Sequence, residues 1–463
     1  MTVSAIFTAL GNNSSIAQIA VKDGIETIGR TAMAYKEGSK TSKKFGVLEA
    51  RERLIEANAT SIVWLGGIPT LKVLFDKLYT NKKYGFKQLK EYGKDALAKT
   101  DIRLLDAKSP QALKLENIKD EALVPYVKKI LDNPQGFKNT FIKKSAIATL
   151  IPIALVGYIL PKTVYAYTHH RIAKQKKKEL QNAYNNQVMN KENLINSTPA
   201  FATFMGKAKR NNLSFHGGMN SLSKYFTDPV SNMVMVDAGI FAGRVGSARN
   251  GKEAAERTIA ELGYIGFLYC AGKHIAKGLE FLTKKYLNMP TDLDAKLLQD
   301  KSFTDNLVSL TKDEKLAKKA LAFAQDNEKS IIEFIDKDLA KNGGKLANIT
   351  LQAAEKTGLV NIVKGARNPL KYIETKELTA LNLKIKDLVE VIGKKANPED
   401  FIKKIKMVKR ASIITNIAIC SAAMAYGLPK LQYWFRAKVS SNTIAPGLTQ
   451  YYDDDCKEKS VKA

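Results

Sequence analysis

Cysteine is scarce in this chain: Cys270, Cys420 and Cys456 stand far apart in 463 residues. That odd, wide spacing supplies neither a disulfide framework nor a zinc-ligand pattern. Histidine is nearly as rare, with His169, His170, His216 and His274 alone, so a metal centre would have to gather most of them across the fold. No metal and no cofactor is expected. With 13 Pro and 29 Gly, the chain is neither collagen-like nor of low complexity. A basic stretch followed by a clean apolar run is missing from residues 1–22; no secretory leader is expected there, and membrane insertion would use internal segments. Glycines clustered before a helix with a following Lys-Ser/Thr, as nucleotide hydrolases need, are missing as well. The stretch SFHGGMNS at 214–221 has the glycines and histidine of an oxyanion loop, but no Gly-x-Ser-x-Gly accompanies it. No catalytic residue is nominated, and a non-enzymatic role is expected.

What the sequence does hold is apolar residues, at 45%, alongside 26% charged ones, a composition that folds. Its length calls for more than one core. Basic residues dominate, 74 Lys and Arg against 45 Asp and Glu, for a formal charge of +29. Such a charge attracts phosphate, on nucleic acid or on an anionic leaflet. Only 12 of the 74 are Arg. Dedicated readers of nucleic acid lean more on Arg, and an A/T-rich coding bias enriches Lys without any partner, so membrane lipid is the better-supported target.

Two segments suit a bilayer. SAIATLIPIALVGYILP, 145–161, is flanked by Lys143, Lys144 and Lys162, with Tyr165, Tyr167 and Arg171 beyond. Snorkelling lysines and interfacial tyrosines extend its reach to about residue 168. ASIITNIAICSAAMAYGLP, 411–429, lies between Arg410 and Lys430, with Tyr433 and Trp434 following. Its small residues permit close helix approach. At one constant offset Ala154, Tyr158, Leu160, Pro161, Lys162 and Tyr165 match Ala422, Tyr426, Leu428, Pro429, Lys430 and Tyr433. Ile68-Pro69 with Lys72 and Phe75 is a fainter third echo. A shared interfacial role is the safer explanation of these matches; a duplicated fold is the alternative. The uncharged stretch 57–71 is too short to cross comfortably, and Gly66, Gly67 and Pro69 are expected to break its helix.

The expected architecture is mainly α-helical and membrane-associated, with two transmembrane helices and a soluble helical module. Its divisions are an N-terminal helical region (1–140), an apolar helix with basic flank (141–180), a linker and moderately apolar hairpin turned near Asn250-Gly251 (181–290), the soluble module (291–408), a second apolar helix with aromatic-basic flank (409–448) and a disordered tail (449–463). Asn397-Pro398-Glu399-Asp400 reads as a helix start. Asp237, Arg244 and Glu261 are ionisable groups inside apolar stretches and need partners there. The expected function is a structural or interaction role at a membrane, with anionic lipid and either a protein partner or a second copy of the chain. Two alternatives are a soluble basic protein binding nucleic acid and a small transporter in which Asp237 and Glu261 share a cavity. An excess of Lys and Arg on the central side of both spans places the long central region in the cytoplasm.

Overall fold

The computed structural model describes residues 3–11, 16–85, 100–187, 229–312, 328–341, 349–440 and 445–449. The expected tail from residue 450 and much of the expected linker lie outside them. Regular structure is mainly helical. After α1 (Val3–Leu10) come α2 (Ile16–Ser39) and a long α3, which joins Lys43–Ile62, the π-helical Val63–Gly67, Ile68–Phe75, the π-helical Asp76–Thr80 and Asn81–Tyr84. A first insert holds 3-10 turns and α4 (Val124–Asp132). The next long helix, α5, joins Pro134–Pro152, the π-helical Ile153–Ile159 and Leu160–Gln187. α6 is Pro229–Gly246, and α7 joins Gly251–Ile265, the π-helical Gly266–Ala271 and Gly272–Leu287. A second insert carries α8 (Ala295–Gln299), α9 (Lys301–Lys312), α10 (Glu328–Lys341), α11 (Ile349–Thr357), the strands β1 (Ile362–Val363) and β2 (Ala366–Arg367), and α12 (Thr375–Gly393). Finally α13 joins Pro398–Ala422, the π-helical Ala423–Gly427 and Leu428–Ser440.

Six of these helices, α2, α3, α5, α6, α7 and α13, pack in a closed ring in that order, with α13 returning to α2. The ring is one three-helix unit used twice: α2, α3 and α5, then α6, α7 and α13. In each unit a short turn joins the first two helices, and an insert separates the second from the third. Each third helix opens on an Asn-Pro pair, Asn133-Pro134 and Asn397-Pro398. The Asn side chains accept from the amides of Gly136 and Asp400, and proline fits the first turn because its missing N–H is not needed there. Sequence follows structure. Glu49-Ala50-Arg51-Glu52-Arg53 in α3 faces Glu253-Ala254-Ala255-Glu256-Arg257 in α7, and Asp23, Gly29 and Arg30 in α2 match Asp237, Gly243 and Arg244 in α6. Even the contacts between units repeat. Gly29 packs on Ala425 and Gly243 on Gly157, two positions that coincide in the match between the apolar segments.

Proline explains three of the π-helical segments. Each ends just before Ile68-Pro69, Leu160-Pro161 or Leu428-Pro429. Proline donates no hydrogen bond, and its ring crowds the carbonyl four residues back; one wider turn relieves both while the helix continues. The break expected at Gly66, Gly67 and Pro69 is therefore not found: the chain stays helical through them.

The two apolar segments lie in helical stretches of 41 residues each, Pro134–Lys174 and Pro398–Lys438, long and apolar enough to cross a membrane. Both run the same way. Lys144 pairs with Asp76, and Lys409 donates to the Thr291 carbonyl, at the end where the inserts emerge. Thr168 meets Arg51, and Arg436 meets Glu49, at the end of the α2–α3 and α6–α7 turns. The region between the spans thus starts at one end of the bundle and finishes at the other. The charge count that places it on one side assumes antiparallel spans, so parallel spans leave that placement unsupported.

The inserts have their own cores. Leu297, Phe303, Leu307, Ile335, Leu378, Ile385 and Leu388 belong to one; Ile102, Leu104, Leu123, Val127 and Ile130 build the other, which also takes in Leu370. The inserts meet where Arg103 pairs with Glu374 and the Ile373 amide donates to Gln111. Between β1 and β2 the turn residues Lys364 and Gly365 both have positive φ, 50° and 74°, the pattern of a two-residue hairpin turn that matches strand twist.

Asp300 stabilises α9 by accepting from the Phe303 amide and pairing with Lys356 at 2.6 Å. Burial alone would raise its pKa, but hydrogen bonds from Lys356 and from the Phe303 and Ser302 amides outweigh it and hold the carboxyl below its ordinary value. The stabilisation is complete above the unfolded carboxyl's pKa, about 3.9, and disappears as pH falls through the lower folded value. Asp300→Asn keeps a capping oxygen but removes the charge. It is expected to lower the thermal midpoint at pH 7 and to converge with wild type in acid, read by melting curves across pH.

Candidate functional site

Where the two units meet, polar side chains of α2, α3, α6 and α7 face one another around a small cavity, with about 30 Å³ of free space, that opens to solvent. Helical period places them there. Asp23, Glu26 and Arg30 succeed one another on one stripe of α2, while Arg53, Glu56 and Thr60 do so on α3. The second unit supplies Asp237, Arg244, Glu261 and Tyr264. Five carboxyl groups and three guanidinium groups share this lining.

Their pairing is uneven. Arg30 donates to Glu26 at 2.6 Å. Arg244 reaches Glu261 at 3.0 Å, Thr60 at 2.6 Å and the Glu56 carbonyl at 2.9 Å. Glu56 is held by both terminal nitrogens of Arg257, at 3.1 and 3.2 Å, the two-pronged geometry that suits guanidinium and carboxylate. Asp23 and Asp237 differ. Asp23 accepts from the hydroxyls of Ser61 and Tyr264, and Asp237 accepts from Tyr269 at 2.6 Å. Neither forms an ion pair among the described residues. Asp237 Oδ1 and Arg244 Nε, both buried, have no hydrogen-bond partner among them.

Toward the turn end the cavity gives way to a denser network in which the repeat reappears. Arg436 grips Glu49 at 2.6 and 3.2 Å and Glu256 at 2.6 and 2.9 Å. Arg249 grips the matching residues, Glu253 at 3.0 and 3.1 Å and Glu52 at 3.0 and 3.3 Å. Each arginine lies over a tyrosine from a third helix: Arg436 over Tyr433 at 4.7 Å and Arg249 over Tyr165 at 4.2 Å. Tyr165 and Tyr433 are partners in the sequence match, whereas Arg249 and Arg436 are not. The two units reach one arrangement with arginines from different places.

Several residues expected at a membrane interface point outward. Lys143, Lys162, Tyr167, Arg171, Lys430 and Trp434 are exposed. Lys162 lies over Tyr158 at 6.0 Å, Lys430 over Tyr426 at 4.4 Å, and Arg51 and Arg171 flank Tyr167. Others turn inward. Lys144 is buried against Asp76, Tyr165 and Tyr433 join the network, and Arg410 is half-buried and donates to Gln299 at 2.6 Å. These four sit on the helix stripe that faces the bundle or its insert, which proximity to an apolar segment does not reveal.

Asp237, Arg244 and Glu261 were legible as buried ions and meet at one cavity. Asp23, Arg30, Glu49, Glu52, Arg53, Glu56, Glu253, Glu256, Arg257 and Arg436 were not singled out. A signal was available in the paired Glu-Ala-x-Glu-Arg stretches and in the paired Asp-x5-Gly-Arg stretches. Among the described residues no cluster of three or more His, Cys, Asp and Glu is placed to hold a metal ion. No family model, curated protein or solved structure matches this chain.

Proposed function

We propose that the six-helix bundle is embedded in a membrane and that its cavity handles a small polar solute. The observation that carries the first part is inverted polarity. On α2, Val21, Ile25 and Ile28 are exposed while Lys22, Asp23, Glu26 and Thr27 are buried. On α3, Ile62, Leu65, Val73, Leu74 and Leu78 face outward while Glu52, Glu56, Thr60 and Asp76 face inward. Residues Ile147, Leu150, Leu155 and Ile159 of α5, and Ile414 and Ile419 of α13, continue the outer apolar belt. Water penalises both halves of that pattern, the contiguous apolar surface and the buried ions. A bilayer favours the apolar surface and leaves the ions no better place than the bundle interior. Lys162, Lys430, Tyr167 and Trp434 beyond the belt suit an anionic headgroup layer.

The cavity favours a solute-handling protein over a purely structural anchor. An anchor gains nothing from ionised groups facing a shared space, whereas transport sites are built where helices of two repeats meet. The test is fractionation of the full chain followed by high-salt and alkaline-carbonate washes. Retention in the pellet through both washes is expected. Release by salt alone would overturn the embedded reading.

A further inference from the structure

We infer that the cavity binds a small organic cation bearing a primary ammonium group, held by Asp23 and Asp237. This rests on the embedded, solute-handling reading and names the class of solute.

Three observations converge. First, the other cavity carboxylates each hold a guanidinium: Glu26 with Arg30, Glu56 with Arg257, Glu261 with Arg244. Asp23 and Asp237, matching positions of the two units, receive only hydroxyl donors among the described residues. Second, Asp237 is 5% exposed, yet its Oδ1 has no partner among the described residues, and it lines the cavity. A buried carboxylate oxygen left without a donor is costly, and the charge costs more unless a cation answers it. Third, the two aspartates line the same cavity, so one cation there can answer both.

Ammonium fits better than a metal. It carries three N–H donors on one charge, enough for the Asp237 Oδ1, an oxygen of Asp23 and one further acceptor. A divalent ion such as calcium takes six to eight oxygens, magnesium six, and no metal-holding cluster occurs among the described residues. The free space is small, about 30 Å³, and opens to solvent, so it admits the ammonium group while the rest of the molecule extends toward the opening. Arg244 Nε, a buried donor without a partner among the described residues, adds selectivity. It favours an amine that also carries an acceptor oxygen, such as an amino acid, over a plain diamine.

The test uses the full chain purified in detergent. Its thermal midpoint is measured with L-lysine, putrescine and glutarate, a diacid without an amine, over a range of concentrations, since a ligand bound only to the folded state raises that midpoint. Lysine is expected to stabilise most, putrescine less and glutarate least. Asp237→Asn and Asp23→Asn, close in shape to the native side chains, are expected to weaken apparent lysine binding at least tenfold while melting cooperatively without ligand. Lys162→Ala, on the outer surface, is expected to bind as wild type does. Equal stabilisation of wild type and both Asn variants would overturn the site, as would stabilisation by acid alone with no response to either amine. If carbonate washes retain the protein but amines have no effect, this inference fails and the embedded reading stands; release by salt removes the reading beneath it.

Discussion

Arg436→Ala is expected to cost about 3–5 kcal/mol of bundle stability, the usual penalty for breaking a buried ion network from one side. Arg436 is 1% exposed, and its guanidinium answers Glu49 and Glu256, which are 3% and 2% exposed. Removing it leaves two carboxylates facing each other from α3 and α7, the second helices of the two units. Gln432 and Arg53 still reach Glu256, so Glu49 loses more. The companion variant is Arg436→Met with Glu49→Gln and Glu256→Gln. It removes charge from both sides and is expected to recover most of the loss, since neutral polar groups are far cheaper to bury than unpaired ions. Thermal and denaturant unfolding in detergent measures both. If the single and triple variants are equally unstable, lost packing of a large side chain matters more than lost charge balance.

Gly29 and Gly24 offer the second test, within a single helix. An added Cβ on Gly29 would stand 2.3 Å from the Ala425 Cβ and 3.0 Å from its Cα, whereas one on Gly24 meets nothing within 4 Å. Gly24→Ala is therefore expected to stabilise α2 by up to about 1 kcal/mol, the helix penalty of glycine. Gly29→Ala is expected to destabilise by about 1–3 kcal/mol, because α2 must shift off α13. The repeat extends the prediction. An added Cβ on Gly243 comes within 2.8 Å of the Gly157 backbone, and with no flexible side chain to yield, Gly243→Ala is expected to cost at least as much as Gly29→Ala. Melting curves of the three variants decide it. A harmless Gly243→Ala would mean that α6 and α5 are not held at backbone contact.

Inverted polarity also explains why only two of the six bundle helices stand out by hydropathy. Averaging over a window counts Lys22, Asp23 and Glu26 against α2, and Glu52, Arg53 and Glu56 against α3, although the structure turns all but the half-buried Arg53 firmly inside. α5 and α13 escape because their polar inward positions in the apolar stretch are Ser145, Thr149, Asn416 and Ser421 rather than ions. A stripe read at helical period separates the two faces; a mean does not. The same reasoning covers Lys144 and Tyr165. Their neighbours in sequence suggested an interface, but their stripe points to Asp76 and to Arg249.

By itself the sequence determined helix, its caps and its apolar belts. Asn397-Pro398 starts a helix wherever it stands, the run from Ser145 to Pro161 is apolar in any fold, and an Asp or Glu amid such residues demands a partner. These properties are local, set by backbone geometry and transfer energy within a few turns. Only the tertiary structure decided which partner answers which charge. Arg436 and Arg249 do the same work from unrelated positions, and Asp237 shares a cavity with Asp23 only because the helices of both units close one ring. Ion pairing in a desolvated interior depends on distances between residues hundreds apart in the chain, and it is the packing of glycine against backbone, at Gly29 and Gly243, that sets those distances.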